Sequence, residues 1–131
     1  MIKLSRLGDT YVELYDRLGG APVIEAAITA FHRAIIGDPQ LKRFFGDVDA
    51  AHLLRALISF FTMAFGGPNL YEGLDLRRAH APLRQRGLDD GHLEIAIAHF
   101  RDTLAAQGVA PALVTEAESY LQSMRDDILG R

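Results

Sequence analysis

Apolar residues recur along this chain in steps of three and four, and glycines or prolines interrupt the pattern where helices would stop and start. Thr10-Tyr11-Val12-Glu13 has the form of a capping box, so a short helix is expected from there to Gly19-Gly20. Pro22 suits the first turn of a second helix, in which Ile24, Ile28, Phe31, His32 and Ile35 share one face and Gly37 closes the run. Asp38-Pro39 repeats the start signal for a brief helix ending near Phe44-Phe45-Gly46. Asp49 can cap the next helix, whose Leu53, Leu57, Phe60, Phe61 and Ala64 make a buried stripe before Gly66-Gly67-Pro68 breaks it. The stretch 66–89 reads as mostly loop, with one short helical candidate from Asp75 to about His80, because Pro82 biases Ala81 away from helical angles. Asp89 or Asp90 starts a long helix carrying Leu93, Ala96, Ile97, Phe100 and Leu104 and ending at Gly108. A last helix from Pro111 sets Val114, Ala117, Leu121, Met124 and Ile128 on one face. No strand-like alternation competes, and no repeat or linker divides the chain. The pattern predicts one all-α domain over residues 1–131.

Composition narrows the chemistry. With 131 residues, nearly half of them apolar, the chain can bury one real core. A net charge of −3 gives no electrostatic footprint for nucleic acid. The absence of cysteine excludes disulfides, zinc ribbons and iron–sulfur clusters. No signal-like N-terminus and no apolar run of about 18 residues stand in the sequence, so neither secretion nor a membrane span is expected and the cytoplasm is the expected compartment. Phosphate-binding glycine loops, HExxH, GxSxG and acidic metal clusters are all missing.

Five histidines remain as candidates for chemistry. His92 and His99 are seven residues apart, too far along a helix to grip one metal alone, and read as surface or rim residues. His52 lies beside the apolar stripe and not on it, and is expected to face solvent or to reach a ligand entrance. His32 shares an apolar face with Ile28 and Ile35 and is expected to project inward, where a histidine is either a satisfied core residue or a ligand. His80 ends a very short helix, between Leu76 and Leu83, in a stretch too short to form a core of its own. Facing an apolar cavity lined by phenylalanine-bearing helices, it is placed like a single axial ligand of a flat apolar cofactor.

Four motifs in order carry a resemblance: Leu14-Tyr15-Asp16-Arg17-Leu18-Gly19-Gly20, Phe44-Phe45 after Asp38-Pro39, Gly66-Gly67-Pro68 followed by Tyr71-Glu72-Gly73, and Arg78-Ala79-His80. Together they resemble the group I truncated haemoglobins, from about Tyr11 to the C-terminus, with residues 1–9 an N-terminal extension. The resemblance implies a globin-like two-over-two helical sandwich around haem b, with a shortened first helix and a loop-rich segment before the proximal histidine. It implies that His80 is the proximal iron ligand and that Phe45 packs on the porphyrin. Leu53, Leu57, Phe60 and Phe61, with Phe31, Leu76 and Leu83, then wall the cofactor. Arg77 or Arg78 either pairs with the haem propionates or forms a solvated surface pair.

The departures bear on function. The family usually has a tyrosine after the phenylalanine that matches Phe31, and this chain has His32. Leu53 and Leu57 stand where relatives often place glutamine or another polar group. One polar side chain is therefore expected in the distal pocket. His32 can donate a hydrogen bond to a bound ligand, serve as a sixth iron ligand, or act as acid or base toward peroxide; hydrogen-bond donation is the preferred reading. The resemblance implies reversible binding of O2, NO or CO, with nitric oxide dioxygenation as the activity it most suggests and an unidentified reductase to recycle ferric iron. Peroxidase-like, redox or gas-sensing chemistry at His32 and a cofactor-free helical interaction module are the competing readings.

Overall fold

Helices form where the apolar spacing puts them, and the computed structural model describes residues 4–7, 10–67 and 76–131. Two short antiparallel strands, β1 (Leu4–Leu7) and β2 (Thr10–Glu13), precede the helices and pair with Leu4 opposite Glu13 and Leu7 opposite Thr10. The helices are α1 (Leu14–Leu18), α2 (Gly20–Gly37), a 3₁₀ turn (Lys42–Phe44), α3 (Ala50–Ala64), α4 (Leu76–Ala79), α5 (Ala81–Gln85), α6 (Asp90–Ala106), α7 (Pro111–Gln122) and α8 (Arg125–Leu129). Helix α2 packs on α3 and on α6, and α6 packs on α7, so two helical pairs face each other. Among the described residues no helix is long and apolar enough to cross a membrane.

Three local expectations need correction. The capping box at Thr10–Glu13 does not form, because these residues are extended and pair with β1; helix α1 starts at Leu14 with no side-chain cap. Threonine, tyrosine and valine in succession favour extended backbone over a helix entry. The stretch after His80 is helical and not loop: Pro82 sits in the first turn of α5, where its missing N–H would have had no helical partner anyway. The last helix is broken at Ser123, whose hydroxyl donates to the Tyr120 carbonyl at 2.5 Å and bends the chain into α8. The predicted face survives the bend, since Val114, Ala117, Leu121, Met124 and Ile128 are all buried. Pro68, Tyr71-Glu72-Gly73, Asp75 and most of the expected loop-rich segment lie outside the described residues.

Other start signals behave as read. Asp49 accepts the backbone N–H of His52 at 3.0 Å and starts α3. Asp89 accepts the N–H of His92 at 3.2 Å and starts α6. At the other end of α3, Tyr15 donates its backbone N–H to the Phe65 carbonyl at 2.7 Å. A β-carbon on Gly67 would stand 2.7 Å from the Tyr15 ring, so the close approach of α1 to the end of α3 requires glycine there.

The core is joined by aromatic contacts. Phe61 of α3 stacks on Phe100 of α6 with centroids 5.1 Å apart, and Phe31 of α2 meets both edge-on at 6.0 and 5.8 Å. Phe100 is fully buried and touches the rings of Phe31 on α2 and of Phe61 and Phe65 at the end of α3. Truncation to alanine removes the ring that links α6 to α2 and α3, and Phe100→Ala is expected to cost about 3–5 kcal/mol in urea unfolding.

Candidate functional site

A cavity of about 250 Å³ lies between the helical pairs. Phe31 of α2, Phe45 after the 3₁₀ turn, and Leu53, Leu57, Phe60 and Phe61 of α3 line one part of it. Leu76 of α4, His80 and Leu83 of α5 line another, and α6 and the C-terminal helices complete it with Leu93, Ile97, Met124 and Ile128. Among the described residues only His80 and His92 bring polar side chains to this wall. The sequence-predicted apolar residues therefore come together around one space.

His80 stands at the junction of α4 and α5. Its carbonyl accepts the N–H groups of Leu83 at 3.1 Å and Arg84 at 3.0 Å and so opens α5. Its ring turns the other way, and Nδ1 donates to the Leu76 carbonyl at 2.9 Å. A carbonyl can only accept, so Nδ1 carries the proton and Nε2 is left with its lone pair, the tautomer that a metal requires. Burial pushes the His80 pKa below its ordinary value of 6.5; the Leu76 hydrogen bond opposes this and the positive charge of Arg84 adds to it. The imidazole is neutral at pH 7.

The two short helices are tied to the C-terminal segment. Arg84 Nη1 donates to the carbonyls of Arg77 at 2.8 Å and Ile128 at 3.0 Å. Arg77 Nη2 donates to Asp127 Oδ1 and to the Arg131 carbonyl, both at 3.1 Å. Arg78 is exposed. Of the two arginines weighed for an anionic contact, one is thus engaged with α8 and the other faces solvent.

His32 is buried, with 8% of its surface exposed, and its Nε2 has no hydrogen-bond partner among the described residues. It is not among the residues that line the cavity, although its neighbour Phe31 is. A buried imidazole nitrogen without a partner carries a desolvation cost that a ligand or a proton acceptor would relieve. His52 is exposed, as read. His99 Nε2 donates to Asp38 at 2.8 Å, and this bond, with that from Gln40 N–H, holds the Asp38 carboxyl below the usual range.

His92 is the residue that sequence reasoning missed. It lines the cavity, meets the Phe44 ring edge at a centroid distance of 5.0 Å, and accepts the Asp89 N–H on Nδ1 at 3.2 Å. The signal was available: histidine three residues after Asp89 occupies the place of the carboxylate in a capping box, which turns its ring back toward the helix start. Arg43 and Arg86 also brace this rim. Arg43 lies over the Phe44 ring at 4.2 Å and donates to the Arg86 carbonyl at 2.6 Å, while Arg86 bonds Asp47 at 2.9 Å.

Paired helices enclosing an apolar cavity, with one imidazole presented to it from a short helix, are the architecture of a globin. Comparison with known proteins makes this specific. The family model described as bacterial-like globin matches residues 13–130. The group 1 truncated haemoglobin of Tetrahymena pyriformis is 32% identical over 118 residues, covering 90% of this chain and 95% of the relative. Its Fe(III) crystal structure superposes with a TM-score of 0.84 at 32% identity over 92% of this chain and all of that one. A Synechococcus 2/2 haemoglobin, in the cyanomet state and with covalently attached haem, gives 0.85 at 31% identity over 92% of this chain and all of that one. The chain belongs to the bacterial-like globin family, among its group 1 truncated haemoglobins.

The direction of the His80 shift sets a pH dependence. Above pH 6.5 the imidazole is neutral whether the chain is folded or not. Below it the unfolded chain takes up a proton that the folded chain refuses, so stability falls as pH falls. Asp38, Asp49 and Asp90, whose pKa values are all lowered from 3.8, withdraw stability only in a more acid range. Urea midpoints of the polypeptide alone are expected to drop as the pH is taken below 6.5, and His80→Gln is expected to flatten that part of the profile.

Proposed function

We propose that this protein binds haem b in the cavity and holds its iron through His80 Nε2, binding a diatomic ligand such as O2, NO or CO on the opposite face. The observation that carries the reading is the Leu76 carbonyl bond to Nδ1, which fixes the neutral tautomer of the one imidazole that stands between α4 and α5 at an apolar wall. The donor set fits the cofactor: His80 offers a free Nε2, the walls are aromatic and aliphatic apart from His92, whose Nδ1 is taken by the Asp89 N–H, and no cluster of three metal-ligating side chains competes among the described residues. Bound haem supplies the redox-active iron at which such ligands are held and turned over.

The chain's own residues set the conditions. Phe31, Phe45, Leu53, Leu57, Phe60 and Phe61 exclude water and give the ligand side no hydrogen-bond donor. His32 lies behind Phe31 and outside the lining, so in this reading its ring must turn toward the cavity to stabilise a polar ligand, through the nitrogen that has no partner among the described residues. Reversible ligand binding is the primary activity in this reading. With a reductase to supply electrons, the haem that His80 would hold could also support nitric oxide dioxygenation. The same nitrogen supports the alternative of acid–base assistance to peroxide cleavage. Dye oxidation by hydrogen peroxide that persists in His32→Leu would remove that alternative.

Two measurements test the assignment. Purified protein is expected to show an intense Soret band, which His80→Gly loses or shifts and added imidazole restores; an unaltered ferrous spectrum in His80→Gly would sink the role given to His80. Loss of the hydrogen bond in His32→Leu is expected to speed dioxygen release about 10- to 100-fold, read by stopped flow.

A further inference from the structure

We infer that Arg84 is a positioning residue for His80: its guanidinium locks the helices on either side of the imidazole to the C-terminal helix and so sets the angle at which the ring is presented to the cavity. This rests on the reading of His80 as the haem ligand.

Helix α4 has four residues and α5 has five, and a single turn does not hold its shape without tertiary support. The orientation of the ring depends on the Leu76 carbonyl. The next carbonyl along, that of Arg77, would be an orphan at the end of so short a helix, and Arg84 Nη1 satisfies it at 2.8 Å. The same nitrogen reaches the Ile128 carbonyl at 3.0 Å, 44 residues away in sequence. Arg84 also begins at His80, since its backbone N–H donates to the His80 carbonyl. One residue thereby fixes the start of α5, the carbonyl beside the one that holds the ring, and the last turn of α8. Moving α4 relative to α8 breaks this bridge and rotates the carbonyl on which Nδ1 depends.

The far side of the bridge is shaped for the guanidinium. Gly130 is left-handed with φ +72°, and a β-carbon there would stand 2.7 Å from Arg84 Nε and 3.1 Å from Cζ. A glycine after a helix is ordinary as a C-cap. Here it also leaves the room that Arg84 fills. Lysine can reach one carbonyl but lacks the planar fork that keeps the donor fixed between two.

The test is resonance Raman spectroscopy of the haem-loaded full chain in the ferrous form, following the iron–histidine stretching band, with haem transfer to an acceptor globin measured alongside. Arg84→Met is expected to shift or split the band and speed haem transfer about tenfold. Gly130→Ala, which displaces the guanidinium and leaves it in the sequence, is expected to move the band in the same way, and the double variant to do no more than either. Arg84→Lys is expected to restore part of the wild-type position. Arg17→Met is the control: it removes the 2.7 Å ion pair with Glu116 between α1 and α7, and should lower the melting temperature with the band unmoved. If Arg84→Met does not fold, Gly130→Ala decides alone. A band unmoved in the variants that fold, with only the melting temperature reduced, overturns the positioning role. A wild-type band that persists in His80→Gly overturns the reading of His80 itself, and this inference with it, whatever Arg84 does.

Discussion

The arrangement turns on a hydrogen bond between His80 Nδ1 and the carbonyl four residues before it. That bond decides three matters together. It chooses the tautomer, it turns the ring away from the N-cap position that His80 occupies for α5, and it leaves Nε2 as the free nitrogen. The Leu76 carbonyl accepts the His80 backbone N–H at 3.2 Å, the ordinary helical bond, and Nδ1 at 2.9 Å, so one oxygen with two lone pairs holds backbone and ring together. The chain stops α4 after one turn and restarts at Ala81. The imidazole that lines the cavity stands at this junction.

Around this junction the protein divides its apolar side chains between two tasks. Phe61, Phe65 and Phe100 close on one another and hold the helical pairs together. Leu53, Leu57 and Phe60, on the same helix as Phe61, remain partly exposed to the cavity they line. A single amphipathic stripe therefore serves as core at its C-terminal end and as binding wall toward its N-terminal end. Burial alone cannot distinguish the two uses, since both need the same residues at the same spacing.

That explains what could be read from the sequence and what could not. Long helices such as α2, α3 and α6 declare themselves through periodicity and caps, and their inward faces follow directly. The segment around His80 is too short for periodicity to operate. There the rule that residues before proline avoid helix misleads, because Ala81 and Pro82 lie in the first turn of α5, where the penalty is small. Arg84 was unremarkable in a presumed loop, and its partners are carbonyls, which no sequence pattern marks. His92 was hidden for a different reason: its helix position suggests the rim, and only its bond with Asp89 turns the ring inward. The strands at the N-terminus were missed because four residues of strand alternation carry too little signal against a plausible capping box.

The tie between α5 and α8 has a consequence for the order in which the molecule assembles. Residues 84 and 128, and residues 77 and 131, meet across 44 and 54 positions of chain. Contacts of that range gain nothing until the intervening chain has been drawn together, and most of that chain is α6 and α7. The aromatic centre is no more local, since Phe31 and Phe100 meet across 69 positions, so the two sets of contacts are expected to form together. Ligand chemistry in this small protein would then be lost together with the fold.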